Sequence, residues 1–275
     1  MKKIKKSLLI LMVSGTLLTS GCSGIDPYTT AQLGLSAIGV MSVTDQDIIA
    51  MSSDACEQLD RKNVVLPNSA PETIRIRRIV RMLDQSLVDQ PVNFKVYRSK
   101  SFNAFALPNG CIRIHSAQLD KFTDEELAAV IGHEMGHIVL KHAKNRFKTM
   151  NMLYIGLQAG RLSSKSSIMN STAFQDIIMG LTNGQYSQRQ ELEADEYAIY
   201  MLQRHNLNPY AIVTMLEKVQ KLYGSGSPSG SLAYFSSHPN NQTRINTAIT
   251  HISKGKSRFS TKKNENANMN NLNKN

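Results

Sequence analysis

The amino-acid sequence predicts an α+β fold that is mainly helical, with a small antiparallel sheet ahead of its central helix. Three observations support this class. Apolar residues recur at helical spacing in the first third of the chain and again beyond residue 123. Between these segments apolar and polar residues alternate, which is the period of a half-buried strand. Two of the later helical segments also begin with a capping box, a Ser or Thr followed three residues on by Glu or Gln.

The elements follow from these patterns in chain order. Residues 45–60 and 72–87 carry apolar side chains at helical spacing, and the second segment places its arginines on the opposite side. Three strands are predicted next, and a Pro-Asn-Gly turn precedes the third; they span residues 92–97, 102–107 and 111–115. We expect these strands to form the antiparallel sheet directly ahead of the central helix.

The central helix carries the pattern H-E-x-x-H in His133, Glu134 and His137. Residues four apart lie on one face of a helix, so the two imidazoles can bind one metal ion while Glu134 stands beside them. Glu134 lies on a mostly apolar stripe, where a carboxylate is costly unless it has a partner or a task. Two nitrogen ligands and a base are what a zinc hydrolase needs, and the alternative is a chance match on a core helix.

A later helix supplies the ligand that this pattern lacks. Glu191 and Asp195 lie one turn apart on an apolar face, and acids in such a place call for a cation. We expect Glu191 to be the third zinc ligand and Asp195 to accept a hydrogen bond from a ligand histidine. The alternative, an acidic face in solvent, fits Glu193 and Glu196 better than it fits this pair.

The N-terminus has the features of a targeting segment. Residues 1–21 combine a Lys-rich start with a short apolar run, and small residues stand directly before Cys22. This arrangement is typical of a bacterial lipobox, so Cys22 is predicted to carry lipid and to anchor the chain to a membrane. Ser23 stands where Asp would favour the inner membrane, which favours an outer-membrane lipoprotein facing the periplasm. The alternative is a plain secretory signal followed by an incidental cysteine.

The composition separates three segments after the predicted targeting segment. Residues 22–44 are expected to be a spacer, residues 45–252 the catalytic domain, and residues 253–275 a disordered, basic and Asn-rich tail. The formal charge of +11 is concentrated in the lysines near the N-terminus and in the tail. The folded part is nearly neutral, so no nucleic-acid partner is expected.

The remaining cysteines form an even pair if Cys22 carries lipid. In an oxidising compartment Cys56 and Cys111 are then expected to form a disulfide, with two buried free thiols as the alternative.

The second predicted strand is a candidate substrate site. An exposed sheet edge can bind an extended peptide by adding a strand, and we assign this role to Asn103, Ala104, Phe105 and Ala106. The alternative is that these residues only cover the core. The Met- and Ser-rich segment at 150–183 is predicted to be either a lid or a membrane-facing surface, or plain core helices with a loop.

Several of these stretches together resemble a known family. HEMGH and ELEAD, with NAFALPNGCIRI, YSQRQ and SSHPNNQTRI, are similar to the gluzincin metalloproteases of the CaaX-prenyl-protease and HtpX type, and within them to the soluble periplasmic lipoprotein branch. The resemblance covers residues 42–252. It implies a zincin-like fold, one zinc ion per chain, and an endopeptidase that degrades misfolded or damaged envelope proteins. Other envelope proteases or assembly factors are further candidate partners.

The resemblance also assigns residues. It places zinc binding on Glu191 rather than Glu193, and it matches a motif at His238 and Arg244, where the histidine is expected to approach the metal or to stabilise an oxyanion. His238 as a fourth ligand would close the site. The rival function is therefore an assembly factor or chaperone-like binding module with a gated or silent zinc site. His142 is predicted to be only a helix-end residue favoured by the dipole.

Overall fold

The computed structural model describes residues 44–83, 91–157, 185–223 and 242–255, together with 85, 88, 180, 182, 238 and 257–259. The predicted α+β class is confirmed, because seven helices and one small sheet make up this part of the chain. In chain order the elements are α1 (Asp45–Lys62), α2 (Pro71–Met82), β1 (Asn93–Tyr97), β2 (Ala104–Ala106), β3 (Cys111–His115), α3 (Asp124–Val139), α4 (His142–Leu157), α5 (Gln188–Arg204), α6 (Ala211–Tyr223) and α7 (Gln242–Lys254).

The sheet is mixed, and the prediction of an antiparallel sheet is wrong for one of its two pairs. The strand order is β1-β3-β2; β2 pairs antiparallel with β3, while β1 pairs parallel with β3. The physical reason is the position of β3. Consecutive strands reverse direction here, and β3 lies between the first two, so it must run the same way as β1.

Helix α2 ends at Met82, earlier than the predicted end at residue 87. Leu83 leaves the helix with extended backbone, and its N–H donates to Val80 O over 3.1 Å. Its side chain is buried in the main core. Burial of this apolar residue therefore competes with continuation of the helix, which propensity alone would favour.

Helix α3 is buried on all sides from Glu126 to Ile138 and packs directly on α5. Two glycines allow the close approach. A Cβ atom at Gly136 would lie 3.1 Å from the Cα and carbonyl oxygen of Ala194, and one at Gly132 would lie 3.2 Å from the Cα of Ala198. The absence of these two side chains brings the two predicted ligand-bearing helices into contact.

A second, smaller core lies between α1, the sheet and α4, and it includes Ile48, Tyr97 and Phe147. The Cys56–Cys111 disulfide joins α1 to β3 within this core, which confirms the predicted bridge. Beside it, the buried Arg113 donates to Asp60 from Nε over 2.7 Å and from Nη2 over 3.0 Å. Helix α1 is thus fixed to the sheet covalently and by charge.

Within the described part of the chain, no helix combines the length and apolar character needed to cross a membrane. The predicted signal segment, the lipidated Cys22 and nearly all of the spacer lie outside the described residues, as does most of the tail. Of the Met- and Ser-rich segment, the described part includes the end of α4 and residues 180 and 182.

Candidate metal centre

Helices α3 and α5 bring the predicted ligands together. Both helices begin where the sequence predicts, at the capping boxes of Thr123 and Ser187. The Nε2 atoms of His133 and His137 are 3.1 Å apart. Glu191 Oε2 lies 3.5 Å from His133 Nε2, and Glu191 Oε1 lies 3.4 Å from His137 Nε2. All three side chains are buried.

His238 adds a fourth donor from a distant part of the sequence. Its Nδ1 lies 3.0 Å from Glu191 Oε1 and 3.2 Å from His133 Nε2. The donor atoms of His133, His137, Glu191 and His238 all lie within 4.8 Å of one another. They form one buried cluster of three imidazoles and a carboxylate.

This donor set fits a zinc ion. In a tetrahedral zinc site with bonds of about 2.0–2.1 Å, neighbouring donor atoms are about 3.3 Å apart. The contacts above lie between 3.0 and 3.5 Å. Burial lowers the pKa of His137 well below its usual range, so its imidazole is neutral, as a metal ligand must be. Burial opposes ionisation of Glu191, but His238 and Arg244 hold the pKa of its carboxyl well below the usual range.

Glu134 lies beside this cluster and is almost fully buried. Its Oε1 has no hydrogen-bond partner among the described residues, although His238 Nε2 lies 3.3 Å away. Burial raises the pKa of Glu134, and the nearby imidazoles of His238 and His133 oppose this effect. A buried carboxylate oxygen without a hydrogen bond is costly, and such groups are typical of functional sites.

Asp195 and Arg244 surround the ligands with a second set of contacts. Asp195 Oδ1 is 2.8 Å from His133 Nδ1, the nitrogen that faces away from the donor cluster. Arg244, which is fully buried, donates to both oxygens of Asp195 over 2.8 and 2.7 Å and forms a 2.7 Å ion pair with Glu191. Burial alone would raise the pKa of Asp195, but Arg244 and His133 hold it below its usual range. The predicted acid pair is therefore joined by one guanidinium.

Two residues around His137 were missed by the sequence reasoning. Tyr186 stacks on the His137 ring, with centroids 3.8 Å apart and planes at 17°. His142 is buried at the start of α4, and its Nδ1 lies 3.1 Å from His137 Nδ1. The interpretation of His142 as a residue that only favours a helix end is therefore wrong. Lys141, with φ of 60°, turns the chain back so that His142 faces α3.

Strand β2 packs against α3, and the side chains of Asn103, Ala104, Phe105 and Ala106 are all buried, so only the backbone of this strand can offer the predicted edge. Asn103 O accepts from His115 N, and Leu107 N donates to Cys111 O, both over 2.9 Å. Alternate residues of an antiparallel strand face its partner. The backbone groups of Ala104 and Ala106 therefore point away from β3, along the outer edge of the sheet. In the described residues β2 pairs only with β3.

Two helices in close contact, two histidines, a glutamate ligand and a buried glutamate beside them define the class as a metallopeptidase of the H-E-x-x-H type. Comparison with known proteins agrees. The model of peptidase family M48 matches residues 71–252.

Several known proteins are similar to long stretches of this sequence. The metalloprotease LoiP of Escherichia coli (strain K12) is 36% identical over 222 residues, which are 79% of this chain and 86% of LoiP. The metalloprotease YcaL of the same organism is 31% identical over 258 residues, 92% of this chain and 100% of YcaL. The β-barrel assembly-enhancing protease of that strain is 30% identical over 169 residues, 58% of this chain and 34% of that protein.

The chain belongs to peptidase family M48. It is a zinc metalloendopeptidase, as the resemblance of its motifs predicted.

Proposed function

We propose that this chain cleaves unfolded or damaged proteins of the bacterial envelope, with one zinc ion held by His133, His137 and Glu191. The observation that carries the proposal is the convergence of these buried donors beside the buried carboxylate of Glu134. The names of the relatives support a protease, and one of them is described as enhancing β-barrel assembly. An envelope substrate is the class that suits those relatives and the predicted export signal.

The chain's own residues divide the chemistry between them. Zinc, when bound, supplies a Lewis acid that acidifies water and polarises the scissile carbonyl. Glu134 takes the proton of the attacking water at its carboxylate and gives it to the leaving amine. Asp195 accepts a hydrogen bond from the Nδ1–H of His133, which keeps the proton on that nitrogen and leaves the lone pair of Nε2 for the metal. Arg244 holds Asp195 and Glu191 in place.

The edge of β2 binds the substrate in this proposal. A peptide laid along Ala104 and Ala106 would pair with their outward backbone groups as an added strand. The register of β2 on β3, with Phe105 opposite Arg113, holds this edge beside α3. Backbone recognition of this kind accepts many sequences, which suits a protease acting on unfolded chains.

His238 closes the resting site in our proposal. Three protein ligands are typical of catalytic zinc sites, and four are typical of structural ones. Since His238 Nδ1 completes four donors, substrate has to displace its ring before cleavage. The same observation favours the second candidate, a chaperone-like module or assembly factor with a silent site. His238→Ala distinguishes them, because faster cleavage supports the gate, whereas no cleavage under any condition supports the module.

We propose that the chain works as a lipoprotein of the outer membrane on its periplasmic side. Residues 1–21 would be removed, Cys22 would carry the lipid, and residues 22–44 would join the anchor to a catalytic domain at 45–252, with 253–275 as a tail. Mass spectrometry of the mature N-terminus tests this assignment. A first residue other than Cys22, without lipid, contradicts it.

The catalytic assignment is tested with the purified mature protein. Wild type and Glu134→Gln are measured for zinc content and for cleavage of an unfolded protein such as casein. We expect equal zinc content and loss of cleavage in the variant. Glu125→Gln is the matched control, since Glu125 lies on the same helix and accepts from Asn208 N on the surface. A Glu134→Gln protein that still cleaves would exclude the proposed base.

A further inference from the structure

The Nδ1 atoms of His133 and His137, which face away from the donor cluster, have different partners among the described residues. His133 Nδ1 meets the carboxylate of Asp195. His137 Nδ1 instead meets another imidazole, His142 Nδ1, at 3.1 Å. The other nitrogen of that ring, Nε2, is 3.1 Å from Glu193 Oε2. His137 Nδ1 is therefore connected to the carboxylate of Glu193 through the imidazole ring of His142.

The contacts determine where the protons lie when a metal is bound. The Nε2 of His137 faces the donor cluster and has to offer its lone pair, so the proton of this neutral ring is on Nδ1. His142 Nδ1 must then accept that proton in a hydrogen bond. Its own proton is consequently on Nε2, from which it donates to Glu193. Each ring nitrogen of His137 and His142 then has one role, and no N–H group points at another N–H group.

Two arginines hold the carboxylate of Glu193 in place at the outer end of this series of contacts. Glu193 accepts from Arg189 Nε over 3.1 Å and from Arg258 Nη1 over 3.4 Å. His142 is buried, whereas the side chain of Glu193 is 20% exposed. The sequence favours an acidic face in solvent for Glu193, but the structure places its Oε2 atom 3.1 Å from Nε2 of the buried His142.

We propose that His142 and Glu193 are positioning residues for the metal site, forming with His137 a relay that fixes the ring orientation and proton position of that ligand. The inference rests on the proposed zinc site. Outer partners of ligand histidines typically contribute about 10–100-fold to metal affinity. Asp195 supplies this contact for one histidine, and the relay supplies it for the other, so both ligands are held by acids of the same helix, α5.

The test is zinc affinity, measured by competition with a chelating indicator. His142→Leu keeps bulk in the core but leaves the His137 Nδ1 proton without an acceptor, and we expect about 10–100-fold weaker binding. His142→Asn places an amide oxygen close to the position of the lost Nδ1, and it should recover most of that affinity. Glu193→Gln should have a smaller effect than His142→Leu. Glu196→Gln is its matched control, because Glu196 also lies on α5 and also binds Arg258.

A second readout separates this role from plain core packing. Thermal unfolding is followed for each variant with zinc and with excess chelator. The relay predicts that the stabilisation added by zinc shrinks in His142→Leu and returns in His142→Asn. If His142 only fills space, both unfolding curves shift together and the difference between them is unchanged, which overturns the relay.

The outcomes also separate the relay from the function on which it rests. If wild type binds no zinc, the proposed metal site is wrong and the relay with it. If wild type binds zinc and His142→Leu binds it within about twofold as tightly, the metal site stands and the relay alone is overturned. Equal weakening in His142→Leu and His142→Asn also overturns the relay, since the acceptor atom would then be irrelevant.

Discussion

Loss of Arg244 should strongly destabilise the metal-free protein. Its guanidinium is fully buried and contacts two buried carboxylates, those of Glu191 and Asp195. Arg244→Met would leave both acids without their cation. Removal of one partner of a buried ion pair costs about 3–5 kcal/mol, because an uncompensated charge remains inside. For a domain of this size each kcal/mol lowers the melting temperature by about 2–4 °C, so the expected fall is about 6–20 °C.

Bound zinc should reduce the fall in melting temperature that Arg244→Met causes. When the metal is bound, Glu191 regains a cation and only Asp195 remains short of one. Differential scanning fluorimetry of wild type and Arg244→Met, with excess zinc and with excess chelator, therefore should show the larger difference under chelator. Arg244→Lys keeps the charge but replaces the planar guanidinium that contacts both acids. Its melting temperature should therefore lie between those of wild type and Arg244→Met.

Arg258→Met is the matched control for this prediction. Arg258 also binds acids of α5, Glu193 and Glu196, but its side chain is 40% exposed. Exposed ion pairs contribute about 0–1 kcal/mol, so the melting temperature should fall by less than about 4 °C. A melting temperature of Arg244→Met within about 2 °C of wild type under chelator would contradict the assigned role of the buried guanidinium, as would a difference between the two proteins that zinc leaves unchanged.

Three further predictions concern packing, charge and the substrate edge. Gly136→Ala puts a Cβ 3.1 Å from the backbone of Ala194. The cost of overpacking, about 1–3 kcal/mol, should exceed the gain of about 1 kcal/mol in helix propensity. Urea unfolding should therefore show lower stability, and a more stable variant would contradict the tight contact. Burial tends to raise the pKa of Asp60, but hydrogen bonds from Arg113, Lys95 and Tyr97 lower it from 3.8 to about 2. Its stabilisation is therefore fully present above the unfolded pKa and is lost as pH falls through the folded pKa. After discounting for solvent we expect about 1–2 kcal/mol, measured as the difference in stability between wild type and Asp60→Asn at about pH 5, most of which should be gone at about pH 2. Ala106→Pro removes an outward N–H and should slow casein cleavage at unchanged zinc content, whereas Ala106→Ser keeps the N–H and should not; equal turnover in all three proteins would exclude strand addition at β2.

Local signals in the sequence predicted the elements that carry the site. The capping boxes at Thr123 and Ser187 set the starts of α3 and α5, because a cap is a contact within one turn. The spacing of His133 and His137 placed both imidazoles on one face for the same reason. Glu191 and Asp195 followed from the cost of placing acids on an apolar stripe.

The features that the sequence did not predict depend on contacts between residues far apart in the chain. The parallel pairing of β1 with β3 is set by which strand lies in the middle, and the alternation of apolar residues does not report this. The role of His142 depends on the left-handed backbone at Lys141, a conformation for which a lysine gives no sign. Tyr186 precedes the Ser187 cap and looks like any apolar residue beside a helix start, so its stacking on His137 could not be inferred.

The order of the site residues along the chain has a consequence for the cell. Asp195 is 62 positions after His133, and His238 is 105 positions after it. A chain that enters its compartment N-terminus first therefore exposes the H-E-x-x-H helix long before Glu191, Asp195 and His238 have arrived. If the chain is exported as proposed, its donor cluster stays incomplete until residue 238 has followed, because the two histidines are only half of that cluster. Under the proposed function, a protease for unfolded proteins then has no complete metal site while it is itself unfolded.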